Sequence, residues 1–98
     1  MSRTAALQKQ KDEWRPQTPY KLVAVEWVDS AQPVSAWQWA DDYEMPQIVV
    51  CVSVGYLIAE TEDAIALAPN LGDIGRERIQ ASGIIRLPRP AVRKITEL

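Results

Sequence analysis

Side chains able to do chemistry are few in this sequence, and their spacing decides what they can do. Histidine does not occur, so the commonest general base and metal ligand is missing. Ser-His-Asp, Cys-His and histidine-zinc arrangements are thereby excluded. The one cysteine, Cys51, stands between Val50 and Val52 in an apolar run. Reactive thiols need cationic, accessible surroundings, so a small buried apolar residue is expected there. A lone cysteine forms no intramolecular disulfide, in keeping with a reducing compartment. The carboxylates cluster as Asp41, Asp42, Glu44 and as Glu60, Glu62, Asp63. Neither cluster follows the spacing of a calcium loop, and close neighbours in a turn do not meet the fixed separation of an acid-base pair. Solvated acidic turns are expected. Leu71-Gly72-Asp73-Ile74-Gly75 offers backbone N–H groups to a phosphate but lacks the Lys-Ser/Thr of a phosphate loop, so it reads as a plain turn. No catalytic residue, metal site or cofactor is expected, and the chain reads as a non-enzyme.

Two groups of residues point instead to binding. Trp37, Trp39 and Tyr43 place three large aromatics within seven residues of an irregular segment. They either form a stacking platform or anchor for a partner, or fold back to cap one end of the core. Asp41, Asp42 and Glu44 beside them argue against a polyanionic partner. Arg76, Arg78 and Arg86 form the second group; Arg76 and Arg78 project to the same side if that stretch is extended, and guanidinium groups suit phosphate or carboxylate.

The net charge of -2 conceals a segregation. From Leu22 to Gly75 there are nine acids and no Lys or Arg; from Arg76 to Lys94 there are six basic residues against Glu77 alone. A fold that keeps these blocks apart has opposite poles and steers a partner or its own assembly, whereas interleaved strands would cancel them.

The elements that position these residues read as β structure in one domain, since 98 residues hold one core. Residues 1–19 form a polar tail, with Pro16 and Pro19 opposing any continued helix. Tyr20 to Val28 is a strand with Val23, Val25 and Trp27 on one face. Ser35 to Glu44 is a loop or one-turn helix, closed by Met45-Pro46. Gln47 to Thr61 is a long strand with Ile48, Val50, Val52, Val54, Tyr56 and Ile58 on one face. Gly55 within it predicts a bulge or bend where another backbone comes close. Thr61-Glu62-Asp63 turns the chain, and Ala64 to Ala68 returns antiparallel with Ile65 and Leu67 inward. Pro69 to Gly75 is an exposed loop. Ile84 to Leu87 is extended, Pro88 and Pro90 forbid a ladder, and a helical turn then leads to a short closing strand. The apolar run 48–59 is too short for a membrane helix, and the polar N-terminal residues hold no signal-peptide core; the expected location is the bacterial host cytoplasm.

This layout over residues 20–98 resembles the five-stranded SH3-like and Sm-like small β-barrels, with IIRLPRPAVRKITEL where such barrels carry their last turn and strand. More narrowly, VEWVDS at 25–30, CVSVGYLIAETEDAIALAPN at 51–70 and LPRPAVRKITEL at 87–98 resemble a group of short proteins encoded by phages and prophages, for which no activity is settled. The resemblance implies the fold and a phage context and supplies no active site. The expected role is that of an adaptor that binds a protein partner or its own copies. The alternative is an RNA- or nucleotide-binding barrel using the basic 76–94 segment.

Overall fold

The computed structural model describes residues 17–30, 33, 35–44 and 46–98. The predicted tail thus lies outside the described residues, except for residues 17–19. Among the described residues seven strands form: β1 Lys21–Asp29, β2 Val49–Glu60, β3 Ala64–Ala68, β4 Asn70–Gly72, β5 Gln80–Ser82, β6 Ile85–Pro88 and β7 Val92–Glu97. Five of them make one antiparallel sheet in the order β6-β3-β2-β1-β7, while β4 and β5 pair separately. The mainly-β expectation holds. The expectation of a closed barrel does not, because no ladder joins the edge strands β6 and β7.

Alternation along β1 sets the inner face: Val23 and Val25 are buried and Trp27 packs beside them. Their partners across β2 are Gly55, Ser53 and Cys51. Large residues of β1 therefore meet small ones of β2, and directly opposed residues share a face. The odd-numbered residues of β2 from Cys51 to Leu57 thus point inward, and the apolar even-numbered ones from Val50 to Val54 point out. That reverses the usual assignment of the more apolar face to the core. Cys51 is half-buried rather than enclosed.

β2 serves two neighbours. Residues 49–57 pair with β1, and residues from Tyr56 onward pair with β3. The register slips between Leu57 and Ala59, so the bulge falls at Ile58 and not at Gly55. Gly55 supplies the close approach instead: a Cβ there would stand 3.1 Å from the Ala68 carbonyl oxygen and 3.2 Å from its carbon. The β2–β3 turn is organised by Thr61, whose Oγ1 accepts from the N–H groups of Asp63 (3.2 Å) and Ala64 (3.1 Å).

The edge strands are linked by a single 3-10 turn, Arg89–Ala91. Three such residues advance about 6 Å, whereas the edges of a flat five-stranded sheet lie about 19 Å apart. The sheet must curl at that end. Arg89 holds the curl: its N–H donates to the Asp63 carbonyl (2.8 Å), its Nε to the Thr61 carbonyl (3.0 Å), and its guanidinium pairs with Glu60 at 3.5 Å. Ile65, Leu67 and Leu87 complete the core with Val23 and Val25, and Leu57, Ile85 and Val92 pack around them.

Other departures are local. Pro88 ends β6 and does share the ladder, opposite Ala64, as an edge position permits. Residues expected as one loop from Pro69 include the short β4. Gly55→Ala is expected to lower unfolding free energy by about 1–3 kcal/mol, measured by urea titration; unchanged stability would show that the Ala68 backbone yields freely. Leu67→Ala, at a side chain 1% exposed, should cost about 2–5 kcal/mol in the same experiment.

Candidate interaction surface

Among the described residues, the hydrogen bonds of the aromatic stretch from Trp37 to Tyr43, between β1 and β2, are those of its own backbone. Ala40–Asp42 forms a 3-10 turn in which the Asp42 N–H donates to the Trp39 carbonyl (3.1 Å) and the Tyr43 N–H to the Ala40 carbonyl (3.4 Å). Trp37 is fully exposed, Trp39 is 79% exposed and Tyr43 53%. The indoles do not fold back onto the core, so that reading is corrected. Their short turn, with Asp41 and Asp42 inside it, directs them to solvent. By contrast, Trp27 is integrated: it packs on the core, and its Nε1–H donates to Ser53 Oγ at 2.9 Å.

The connector runs into the outward face of β2. Ile48, Val50, Val52 and Val54 are all exposed to half or more of their area. Their cross-strand neighbours on β1 are Val28 for Val50, Glu26 for Val52 and Ala24 for Val54. Aromatic side chains and an aliphatic strip thus follow one another along one stretch of chain. Sequence reading grouped the strip on one face without identifying that face as the outer one. The readable signal was Cys51, Ser53 and Gly55: small residues on the alternate face leave room for Val25 and Trp27.

The arginines are not gathered with the aromatics. Arg76 and Arg78 lie in the bent loop between β4 and β5, which is not extended, so the projection to one side expected for a strand does not apply. Asp73 and Glu77 line the same shallow surface depression. The loop is closed by the Arg76 N–H donating to the Asp73 carbonyl at 3.0 Å and by Gln80 Nε2 donating to Asp73 Oδ2. Arg86 stands apart on edge strand β6, opposite Ala66. Among the described residues, ion pairs form at Lys21–Glu97 and Arg89–Glu60, and none involves Arg76, Arg78, Arg86, Asp41, Asp42 or Glu44.

An open cleft of about 520 Å³ that the sequence did not signal lies where β1, the end of β2 and β7 meet. Val23, Leu57 and Ile95 form part of its wall, and the Lys21–Glu97 pair (3.7 Å) borders it. Among the described residues, no group of three or more His, Cys, Asp or Glu side chains is placed to hold a metal ion. No helix among them is long and apolar enough to cross a membrane. Comparisons with family models, curated proteins and solved structures find no match to this chain.

Proposed function

We propose that the chain is a phage- or prophage-encoded adaptor without catalytic activity, an open variant of the SH3-like and Sm-like small barrels, that works through protein contacts with a partner or with its own copies. The fold reading is supported by the central, two-neighbour β2 and by the three-residue turn joining the sheet edges. The functional reading is carried by one observation: Trp37 and Trp39 stand in solvent on the segment of chain that leads into an exposed aliphatic strip. Burying about 200 Å² of an indole at about 25 cal/mol per Å² is worth about 5 kcal/mol before ordering costs. Leaving two such rings exposed forgoes a gain that this small core needs, and docking on a protein surface recovers it. Indoles are also the side chains most enriched at energetic centres of protein interfaces.

A second reading, binding of RNA or a nucleotide, is favoured by Arg76 and Arg78, which are exposed in one loop. It ranks lower. Asp73 and Glu77 share the depression, and Asp41, Asp42 and Glu44 lie in the same short stretch of chain as the aromatic residues, so a polyanion meets repulsion at both places. Titration with single-stranded RNA at low and physiological salt is expected to show no specific complex. Affinity that falls steeply with salt and disappears in Arg78→Glu would reverse the ranking.

The leading reading is tested with the Trp37→Ser/Trp39→Ser double variant. Both positions are exposed, so stability should stay within about 0.5 kcal/mol of the parent. Binding, whether to another copy or to a protein captured from lysate, should weaken by at least about 2 kcal/mol. Binding that is undiminished in the variant would remove the proposal, as would a parent chain that binds nothing.

A further inference from the structure

Most free strand edges of this fold are guarded. β7 bears Arg93 and Lys94, β6 is four residues long, carries Arg86 and ends on Pro88, and β4 and β5 have three residues each. Charge, proline and brevity are the usual means of stopping an edge from recruiting foreign strands. β2 lacks them. From Val49 to Gly55 it is paired with β1 alone; β3 takes its other side only from Tyr56, and β4 lies beside it without sharing a ladder. Backbone groups of an antiparallel pair alternate in direction, so every second residue of this stretch turns its N–H and C=O away from β1. No charged residue occurs between Glu44 and Glu60. An uncharged, β-branched open edge flanked by exposed valines is a template for one more strand.

We infer that a second copy of the chain occupies this edge, its Val50–Val54 running antiparallel to the first about a twofold axis at Val52. This deepens the protein-contact reading and rests on it. Two observations select a second copy over a different protein. A strand that meets itself across a twofold sets its central residue opposite its own mirror image, so any charge there repels itself. The Val-Val-Cys-Val-Ser-Val stretch carries none and is self-compatible. The other observation is charge complementarity. The twofold sets Val50 beside Val54 of the partner subunit, so each connector, bearing Asp41, Asp42 and Glu44, enters at the end where the other copy's chain leaves β3 for the β4–β5 hairpin. Arg76 and Arg78 in that hairpin loop and the three connector acids are without ion pairs within the described residues of their own chain. Isologous pairing places acid against base at both ends, and it joins the two valine strips into one continuous face.

Light scattering of the full chain over a wide dilution series tests this. The parent should show twice the 11.0 kDa chain mass. Val52→Lys should show the mass of one chain, with association at least about tenfold weaker, because two ammonium groups face each other at the axis. Val52 is 67% exposed, so the variant keeps its fold, which circular dichroism checks. Arg93→Glu, on the guarded β7 edge, should remain a dimer. Hydrogen exchange on the parent gives a reading independent of any variant: amides in 49–54 should gain protection with concentration. A dimer unaffected by Val52→Lys, or one broken by Arg93→Glu, would overturn the assigned edge while self-association stands. A parent of one-chain mass throughout, with no concentration-dependent protection, would overturn the second copy even if tryptophan-dependent binding to another protein persists.

Discussion

The β1–β2 ladder is the constraint on which the rest depends. Its register sets Val23, Val25 and Trp27 against Gly55, Ser53 and Cys51, bulky side chains over small ones, so that the β1 side chains fill the space inside the curl together with Ile65, Leu67 and Leu87. Had β2 presented its valines to that face, two layers of branched side chains would compete for the same volume, and overpacking of that kind is itself destabilising. The price of the chosen register is an outer face lined with aliphatic groups. The same register places Gly55 where the Ala68 backbone passes, which lets β3 leave the sheet toward β4 at the point where β2 changes neighbours.

Curvature comes from a different part of the chain. The 3-10 turn Arg89–Ala91 draws the sheet's two edges toward each other, and Arg89 ties that turn to the β2–β3 hairpin through two carbonyls and Glu60. The carbonyls of a tight turn have no ladder partner, so the Arg89 backbone N–H serves that of Asp63 and its guanidinium that of Thr61, in place of water. The seam between β6 and β7 stays open, and the core is correspondingly small: its buried side chains come from β1, β3 and β6, with Leu57 as the main contribution of β2.

Much of this was legible residue by residue. The return strand Ala64 to Ala68 and its Thr61-Glu62-Asp63 turn follow from local alternation and turn chemistry, which need no knowledge of distant partners. The inward set Val23, Val25, Trp27 follows for the same reason. Three features were not legible because they depend on register between strands far apart in sequence. One is the outward orientation of Val50, Val52 and Val54, another the placement of the bulge at Ile58, and the third the absence of a β6–β7 ladder. The aromatic segment failed differently. Its composition allowed both a cap over the core and a free surface, and only the path of the connector distinguishes them.

Ile74, Ile84, Ile95 and Leu98 are exposed singly, as on an ordinary soluble surface, where single large side chains need no explanation, but the remaining exposed large apolar residues are not scattered. Trp37, Trp39, Tyr43, Ile48, Val49, Val50, Val52 and Val54 follow one another along the chain, and the series stops at Gly55. Beyond it Tyr56, Leu57 and Ile58 are at least partly covered, and β3 is paired alongside. One strand therefore does two things on either side of one glycine: its C-terminal part has ladders to β3 and, as far as Leu57, to β1, while its N-terminal half, paired with β1 alone, leaves its other edge and its valines at the surface. The boundary coincides with the change of strand neighbour because β3 stops pairing at Tyr56; a β3 extended by a few residues would have closed the edge.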